Sequence, residues 1–364
     1  MLVLVAGSMV SPMVRYLVRA AWSEARILAR RRPIEAVIAD PGTPAHIRSQ
    51  LQLVRAAREF AADSIGLRVK GSFSTYTKLE HDTLVLVLSG AYRDRLLPIT
   101  WWFPIVGRVP YKGFFDFQSA HRAAADLRQR GFDAFVRPSP AFSTLGWFDD
   151  PVVSTTLSDD SIELANTVIH ETTHNTFYAS GQTVFNESFA NFVGARGAEQ
   201  FFRSRGDTAL ARQAAARWAD EKTLGAFWRG VFDQLDSAFR AHAGTDSASR
   251  DARLAARDSI FRLARDSLTT SLPRRIRTIP VEALARARLD NAALLARRIY
   301  LTDLEQFDAV YHASRDDLRV AVQRIIAIAR ANRADPFGGL EAWVAKSNGG
   351  VRGQVSGVRE GSGE

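Results

Sequence analysis

Hydrophobic residues recur at helical spacing over residues 11–31, 33–39 and 44–65, with Pro41-Gly42 separating the last two segments. The pattern then changes. Short apolar runs follow, "DTLVLVLSG", "PITWWFPIVGRVPYKG", "DAFVRPS" and "VVSTT", which read as strands, with the helical stretch "FQSAHRAAADLRQRG" between the second and third. From Asp159 to Leu340 the spacing is helical throughout, broken only by turns. This order predicts an α+β fold, predominantly helical: N-terminal helices, a small β-sheet, a helix pair and a C-terminal helical lobe. In residue terms, 1–30 form an apolar and basic N-terminal segment, a candidate signal or anchor, and 31–205 hold the early helices, the sheet and the helix pair. Residues 206–346 form the helical lobe, and the Gly/Ser-rich end 347–364 is expected to be disordered.

One segment departs from the rest in charge. Asp, Glu, Lys and Arg make up 24% of the chain, yet between Leu164 and Ala195 only Glu171 and Glu187 are charged. A long uncharged stretch of helical spacing is usually buried, and a buried carboxylate is costly unless a cation lies beside it. No Lys or Arg is near in sequence, so the cation comes from elsewhere in the fold or is a metal ion. His170 and His174 supply the metal reading. Four residues apart on a helix, they lie one turn and roughly 40° apart, so both rings reach one ion. Glu171 flanks them, within reach of a water on that ion. This is the H-E-x-x-H arrangement, in which two imidazoles hold zinc and the glutamate takes a proton from the water. The alternative is a metal-free histidine pair satisfied within the core. Asp159-Asp160 are cap candidates for the helix, which meets no Pro or Gly before Gly181.

A catalytic zinc needs a third protein ligand and an open fourth position. The stretch "NESFANFVGARGAEQFF" offers the ligand. Asn186 looks like the start of a second helix after the turn "ASGQT", with Glu187 in its first turn and Phe189, Phe192, Val193 and Phe201 as its apolar face. Glu187 would then face back toward the two histidines; otherwise it serves the helix N-terminus as a dipole partner. Asn191, one turn further on, shares the face of Glu187 and is the candidate to orient one of the histidines.

These motifs resemble those of the gluzincin metallopeptidases, whose second motif reads N-E-x-x-[SA]-[DN]. More narrowly, the chain resembles a bacterial family of predicted aminopeptidases. The stretches that carry the resemblance are "RRPIEAVIADPGTPAHIRSQLQLVRAAREFA", "WWFPIVGRVPYKGFFD", "FSTLGWFDDPVVSTT", the histidine pair, and "LDNAALL" with Tyr300, together most of residues 30–310. The resemblance implies a zincin-like fold with the small sheet beside the H-E-x-x-H helix. It also implies one Zn2+ per chain held by His170, His174 and Glu187, with Glu171 as general base and a peptide as substrate. Two departures stand out. The spacing from His174 to Glu187 is shorter than in well-known gluzincins, which demands a tight turn, and Asn191 stands where many of them have Asp. The G-x-M-E-N strand that anchors substrate amino groups in well-studied zinc aminopeptidases is absent.

Amide hydrolysis also needs a donor for the developing oxyanion. Tyr300 in "RRIYLTDLE" is the candidate, against a reading as a packing tyrosine. Trp147, in "FSTLGWFDD" just before the histidine helix, is a candidate apolar wall for substrate, against an ordinary core aromatic. His81, His121, His242 and His312 have polar surroundings and no ligand spacing, and read as surface residues.

Composition narrows the remaining classes. A net charge of +9 and a pI near 10.2 raise nucleic acid as a partner. The excess is nearly all Arg, however, interleaved with acids at helical spacing as in "ASRDARLAARDSIFRLARDSL", which reads as ion-paired helix surface rather than a nucleic-acid stripe. The absence of Cys excludes disulfides, thiolate ligands and a lipid-bearing cysteine. The opening "MLVLVAGSMVSPMV" is uncharged for 14 residues, short of the ~20 that span a bilayer. It reads as an export or anchor segment, which implies the cell envelope and membrane association, or as a buried first helix, which leaves the cytoplasm open. Three functions therefore stand: an active zinc peptidase, a zinc-binding peptidase-like module without cleavage activity, and an Arg-rich binder of nucleic acid or anionic surfaces.

Overall fold

The computed structural model describes residues 22, 25–79, 85–103, 107–139 and 150–355, with side chains as far as 347. The fold is predominantly helical α+β, in the expected order. Helices α1 (Ile34–Ala39) and α2 (Ala45–Phe60) come first. Leu51, Val54 and Ala57 put the apolar stripe of α2 into a core shared with Leu164, Ala165 and Val168. A π-helical turn over Ala61–Ile65 extends α2 and stops at Gly66, whose positive φ of 81° is open to glycine without strain.

The strands are short. β1 (Arg32–Pro33), β2 (Thr75–Thr77) and β9 (Val152–Val153) form one small sheet, antiparallel between β1 and β2 and parallel between β2 and β9. A second sheet is centred on β3 (Val85–Ala91), paired antiparallel with β4 (Pro98–Ile99), β7 (Lys112–Phe114) and β8 (Asp133–Ser139). β5 (Trp101–Phe103) and β6 (Gly107–Val109) pair with each other. The run "PITWWFPIVGRVPYKG" is thus four short strands rather than one, because Pro110 lacks the N–H a ladder needs and Gly107 turns with φ 72°.

Strand alternation divides the second sheet into two faces. Leu86, Leu88, Phe114, Ala134 and Val136 pack on α3 (Phe117–Gln129), through its Ala120, Ala124 and Leu127. Asp116 caps that helix, accepting the Gln118 N–H at 3.1 Å. The opposite face of β8 carries Asp133, Phe135 and Arg137, and each meets the C-terminal helices.

The remaining helices are α4 (Ser161–Thr176), α5 (Thr183–Ser204), α6 (Thr208–Ala241), α7 (Ser247–Thr270), α8 (Val281–Ala285), α9 (Asn291–Leu301), α10 (Leu304–Ala313), α11 (Leu318–Ala331) and α12 (Pro336–Val355). The apolar face of α5, with Phe185, Phe189 and Phe192, shares one core with Phe307, Tyr311, Ile325 and Leu340 of α10–α12. α12 runs through the first part of the segment expected to be disordered, from Ser347 to Val355; its proline sits at the first helical position, and no further proline interrupts propagation. Residues 356–364, and the N-terminal segment 1–30 apart from residues 22 and 25–30, lie outside the described residues. No helix among the described residues is long and apolar enough to cross a membrane.

Candidate metal centre

Two helices and a tight turn build the site. Asp160 starts α4, its carboxylate accepting the N–H groups of Ile162 and Glu163 at 3.0 and 3.1 Å while pairing with Arg217 at 2.6 Å. Near the end of α4 the hydroxyls of Thr172, Thr173 and Thr176 donate to the carbonyls four residues back, which lets polar side chains stay buried beside the histidines. The chain leaves the helix at Phe177 and turns at Gly181, φ 76°. Asn186 does not start the second helix. α5 begins at Thr183, and Asn186 lies one turn inside it, where its amide closes the turn by bonding both the N–H and the C=O of Ala179 at 2.8 Å. Glu187 therefore sits in the second turn rather than at the dipole end.

This arrangement brings His170, His174 and Glu187 together. One donor atom from each lies within 4.8 Å of the others. Glu187 Oε2 is 3.4 Å from His170 Nε2 and 3.7 Å from His174 Nε2, and the two rings are nearly perpendicular with centroids 5.0 Å apart. His174 is 3% exposed, but His170 and Glu187 are 14% and 12% exposed, so the cluster opens on one side. Burial by itself would raise the Glu187 carboxyl, but the imidazoles of His174 and His170 hold it well below the usual carboxylate range. Burial opposes protonation of His174, and the neighbouring Glu187 and Glu171 charges outweigh it and raise the imidazole.

The residues present fit a metal ion. Two imidazole nitrogens and one carboxylate oxygen with an open side are the donor set of a catalytic zinc site. Among the described residues Glu171 Oε2 and His174 Nδ1 are buried polar atoms without a partner, and such atoms are costly unless a water or ligand satisfies them.

The helix pair packs too closely for ordinary side chains. A Cβ at Gly194 would lie 3.0 Å from the Asn166 carbonyl oxygen and 3.2 Å from His170 Cβ. The next face of α5 is tied to α9: Ser188 Oγ donates to the Ile299 carbonyl at 3.2 Å, and Asn191 Nδ2 donates to the Tyr300 carbonyl at 3.3 Å. Asn191 does not bond either histidine; its shorter contact, 2.8 Å, is to Glu221 on α6. Burial, opposed by the Asn191 hydrogen bond and by nearby His170, raises the Glu221 carboxyl to about 7.

Tyr300 reaches the cluster from α9. Its carbonyl is held by Asn191, and its hydroxyl accepts a 2.9 Å hydrogen bond from Arg137 Nη2, with the guanidinium over its ring. Burial raises the phenol to about 12, Glu187 adds to the rise, and Arg137 opposes it. Tyr111 and Tyr178 feel the same Glu187 charge, and burial followed by that charge raises both. Trp147 lies outside the described residues, as does His81, whereas His121, His242 and His312 are exposed as expected.

Arg137, Tyr111, Tyr178 and Glu221 were not singled out from the sequence. Tyr178 carried a signal, being one helical turn beyond His174, and Tyr111 lay inside "WWFPIVGRVPYKGFFD". Arg137 and Glu221 carried none, since only the tertiary fold brings them near residues 170–191.

Comparison with known families matches residues 15–336 to the family described as "Putative aminopeptidase". No curated protein and no solved structure matches the chain.

Proposed function

We propose, from the premise that this chain belongs to that family of aminopeptidases, that it is a zinc-dependent peptidase of gluzincin type with a zincin-like arrangement of sheet and helix. One observation carries the reading: two imidazoles and a carboxylate converge within 4.8 Å beside a buried carboxylate oxygen that has no partner among the described residues. His170, His174 and Glu187 would hold one zinc ion. When bound, the ion supplies Lewis-acid polarisation of the scissile carbonyl and a lowered pKa for the attacking water.

The protein's own groups do the rest. Glu171, adjacent to the cluster and without a partner at Oε2 among the described residues, accepts a proton from the attacking water and delivers it to the leaving amine. Tyr300 is suited to the oxyanion. Because Arg137 donates to its oxygen, the hydroxyl proton is directed away from Arg137, and it has no acceptor among the described residues. It can therefore donate to a carbonyl oxygen as charge develops. Asn191 fixes the backbone of Tyr300 relative to Glu187, one turn away on the same helix. The partly open cluster favours catalysis over a sealed structural site, which has four protein ligands.

Elemental analysis of carefully purified protein, followed by hydrolysis of a mixed peptide library with and without chelator, tests this. One zinc per chain and chelator-sensitive cleavage are expected. Metal-free protein that still cleaves, or metal-loaded protein that cleaves nothing, overturns it.

A further inference from the structure

The second sheet places Arg137 against Tyr300, and among the described residues the Tyr300 hydroxyl is its one hydrogen-bond partner. β8 pairs with β3 in the register Arg137–Val87, and β7 pairs in the register Gly113–Val87, so all three positions lie on one sheet face. Tyr111 is two residues before Gly113 and packs against the cluster of Val85, Val87 and Val153. Along β8 the same face carries Asp133 and Phe135. Asp133 meets Arg257 at 2.6 Å and the Asn291 N–H at 2.9 Å, and Phe135 lies under the Arg297 guanidinium. These contacts fix α9 along the strand and so fix where Arg137 meets Tyr300.

Arg137 differs from Arg257 and Arg196 in what it lacks. Arg257 pairs with Asp133, and Arg196 pairs with Asp308 and Glu199. Among the described residues no carboxylate is within ion-pairing distance of Arg137; its partners are the Tyr300 hydroxyl and ring. A guanidinium offers five donors, and one is engaged among the described residues. The side chain is only partly buried, so the others can face a ligand. A half-buried guanidinium in this state is completed by an anion that accepts two parallel hydrogen bonds.

We propose that Arg137 anchors a carboxylate carried by the substrate residue that follows the scissile bond. This rests on the peptidase reading above and narrows its substrate class. If the Tyr300 hydroxyl contacts the scissile carbonyl oxygen, Arg137 lies one further hydrogen bond away, 2.9 Å beyond that hydroxyl. Successive Cα atoms are about 3.8 Å apart, so a group placed there belongs to a residue flanking the scissile bond, and in a dipeptide the α-carboxylate lies on the residue after it. The carboxylate is either the α-carboxylate of a dipeptide or an Asp or Glu side chain in a longer peptide.

Matched substrates separate these sources: a dipeptide against its C-terminal amide, and amidated peptides with Glu or Gln after the scissile bond. Wild type should prefer one carboxylate member by ~10–100-fold in kcat/KM, the value of a charge-assisted hydrogen-bonded pair. Arg137→Met should collapse that ratio toward one, and Arg137→Lys should restore part of it. Tyr300→Phe should slow both members while keeping the ratio. Binding of N-acetylalanine and N-acetylalaninamide to zinc-free protein is measured alongside, with the same preference expected and the same loss in Arg137→Met. If the ratio is equal in wild type and Arg137→Met, or wild type shows no preference in either assay, the proposal is overturned. Absence of all cleavage with an Arg137-dependent binding preference would overturn the peptidase reading instead.

Discussion

Gly194 and His170 face each other across the helix pair with no room for a methyl group between them. A Cβ on Gly194 would sit 3.2 Å from His170 Cβ and 3.0 Å from the Asn166 carbonyl, besides colliding with the Asn166 amide oxygen. The amide can swing away, but the carbonyl and the histidine Cβ belong to the helix and cannot. Gly194→Ala should therefore push the two helices apart, at a cost of ~1–3 kcal/mol for an overpacked contact. Because His170 and Glu187 come from the two helices being separated, zinc affinity should fall along with melting temperature. A variant with unchanged melting temperature and zinc affinity would refute this account of the close approach.

Zinc content follows from the ligand set. His170→Ala or His174→Ala should abolish tight zinc binding, and Glu187→Ala should weaken it strongly, since each supplies one of three converging donors. Full zinc occupancy in Glu187→Ala, read by elemental analysis after dialysis, would remove Glu187 from the site.

Much of this was legible because it is local. His170, Glu171 and His174 are related by helical spacing alone, and Glu187 follows across one short turn, so a period and a turn signal suffice. The helix start was misread at Asn186 because an Asn before a Glu mimics a cap, whereas its amide is spent on Ala179 across the turn. The second sheet fared in between: β3 and β8 show the expected strands, but Pro and Gly fragment the run between them. Arg137 and Glu221 were invisible because their meaning comes from neighbours far along the chain, Tyr300 and Asn191. An Arg in a strand and a Glu in a 34-residue helix look like ordinary surface charges until the fold places them.

Asp160 links stability to pH. It caps the histidine helix and pairs with Arg217; burial would raise its carboxyl, but the Arg217 bond and the helix N–H groups outweigh that and lower it. A lowered folded value means the contribution is present above the unfolded carboxylate pKa, about 3.9, and is lost as pH falls through the folded value. Asp160→Ala should cost ~1 kcal/mol at neutral pH. The gap in melting temperature from wild type should close in stronger acid, measured on zinc-free protein so that metal loss does not enter. A gap independent of pH would show that the carboxylate charge contributes nothing.

Tyr300→Phe tests the oxyanion donor. The substitution keeps the ring under Arg137 and the backbone bond to Asn191, and removes only the hydroxyl. Loss of one such donor costs ~10²–10³ in kcat, with zinc content and fold retained. Unchanged kcat would assign Tyr300 to packing.

Glu171 decides between an enzyme and a metal-binding module. Its Oε2 is buried without a partner among the described residues, an arrangement that costs stability unless something else occupies the space beside it. In a purely structural site that cost would serve nothing, and replacing the carboxylate by an amide would be neutral or stabilising. In a hydrolase the unpaired oxygen is where the attacking water must lie. Glu171→Gln keeps size and hydrogen-bonding reach but cannot accept a proton at neutral pH. His170, His174 and Glu187 are untouched, so zinc content and melting temperature should stay near wild type. A general base is worth ~10²–10⁴ in rate, and peptide turnover should fall by that much. The measurement is turnover of a mixed peptide library by the two proteins at equal zinc content. Equal rates would leave the metal site standing and remove Glu171 from the chemistry.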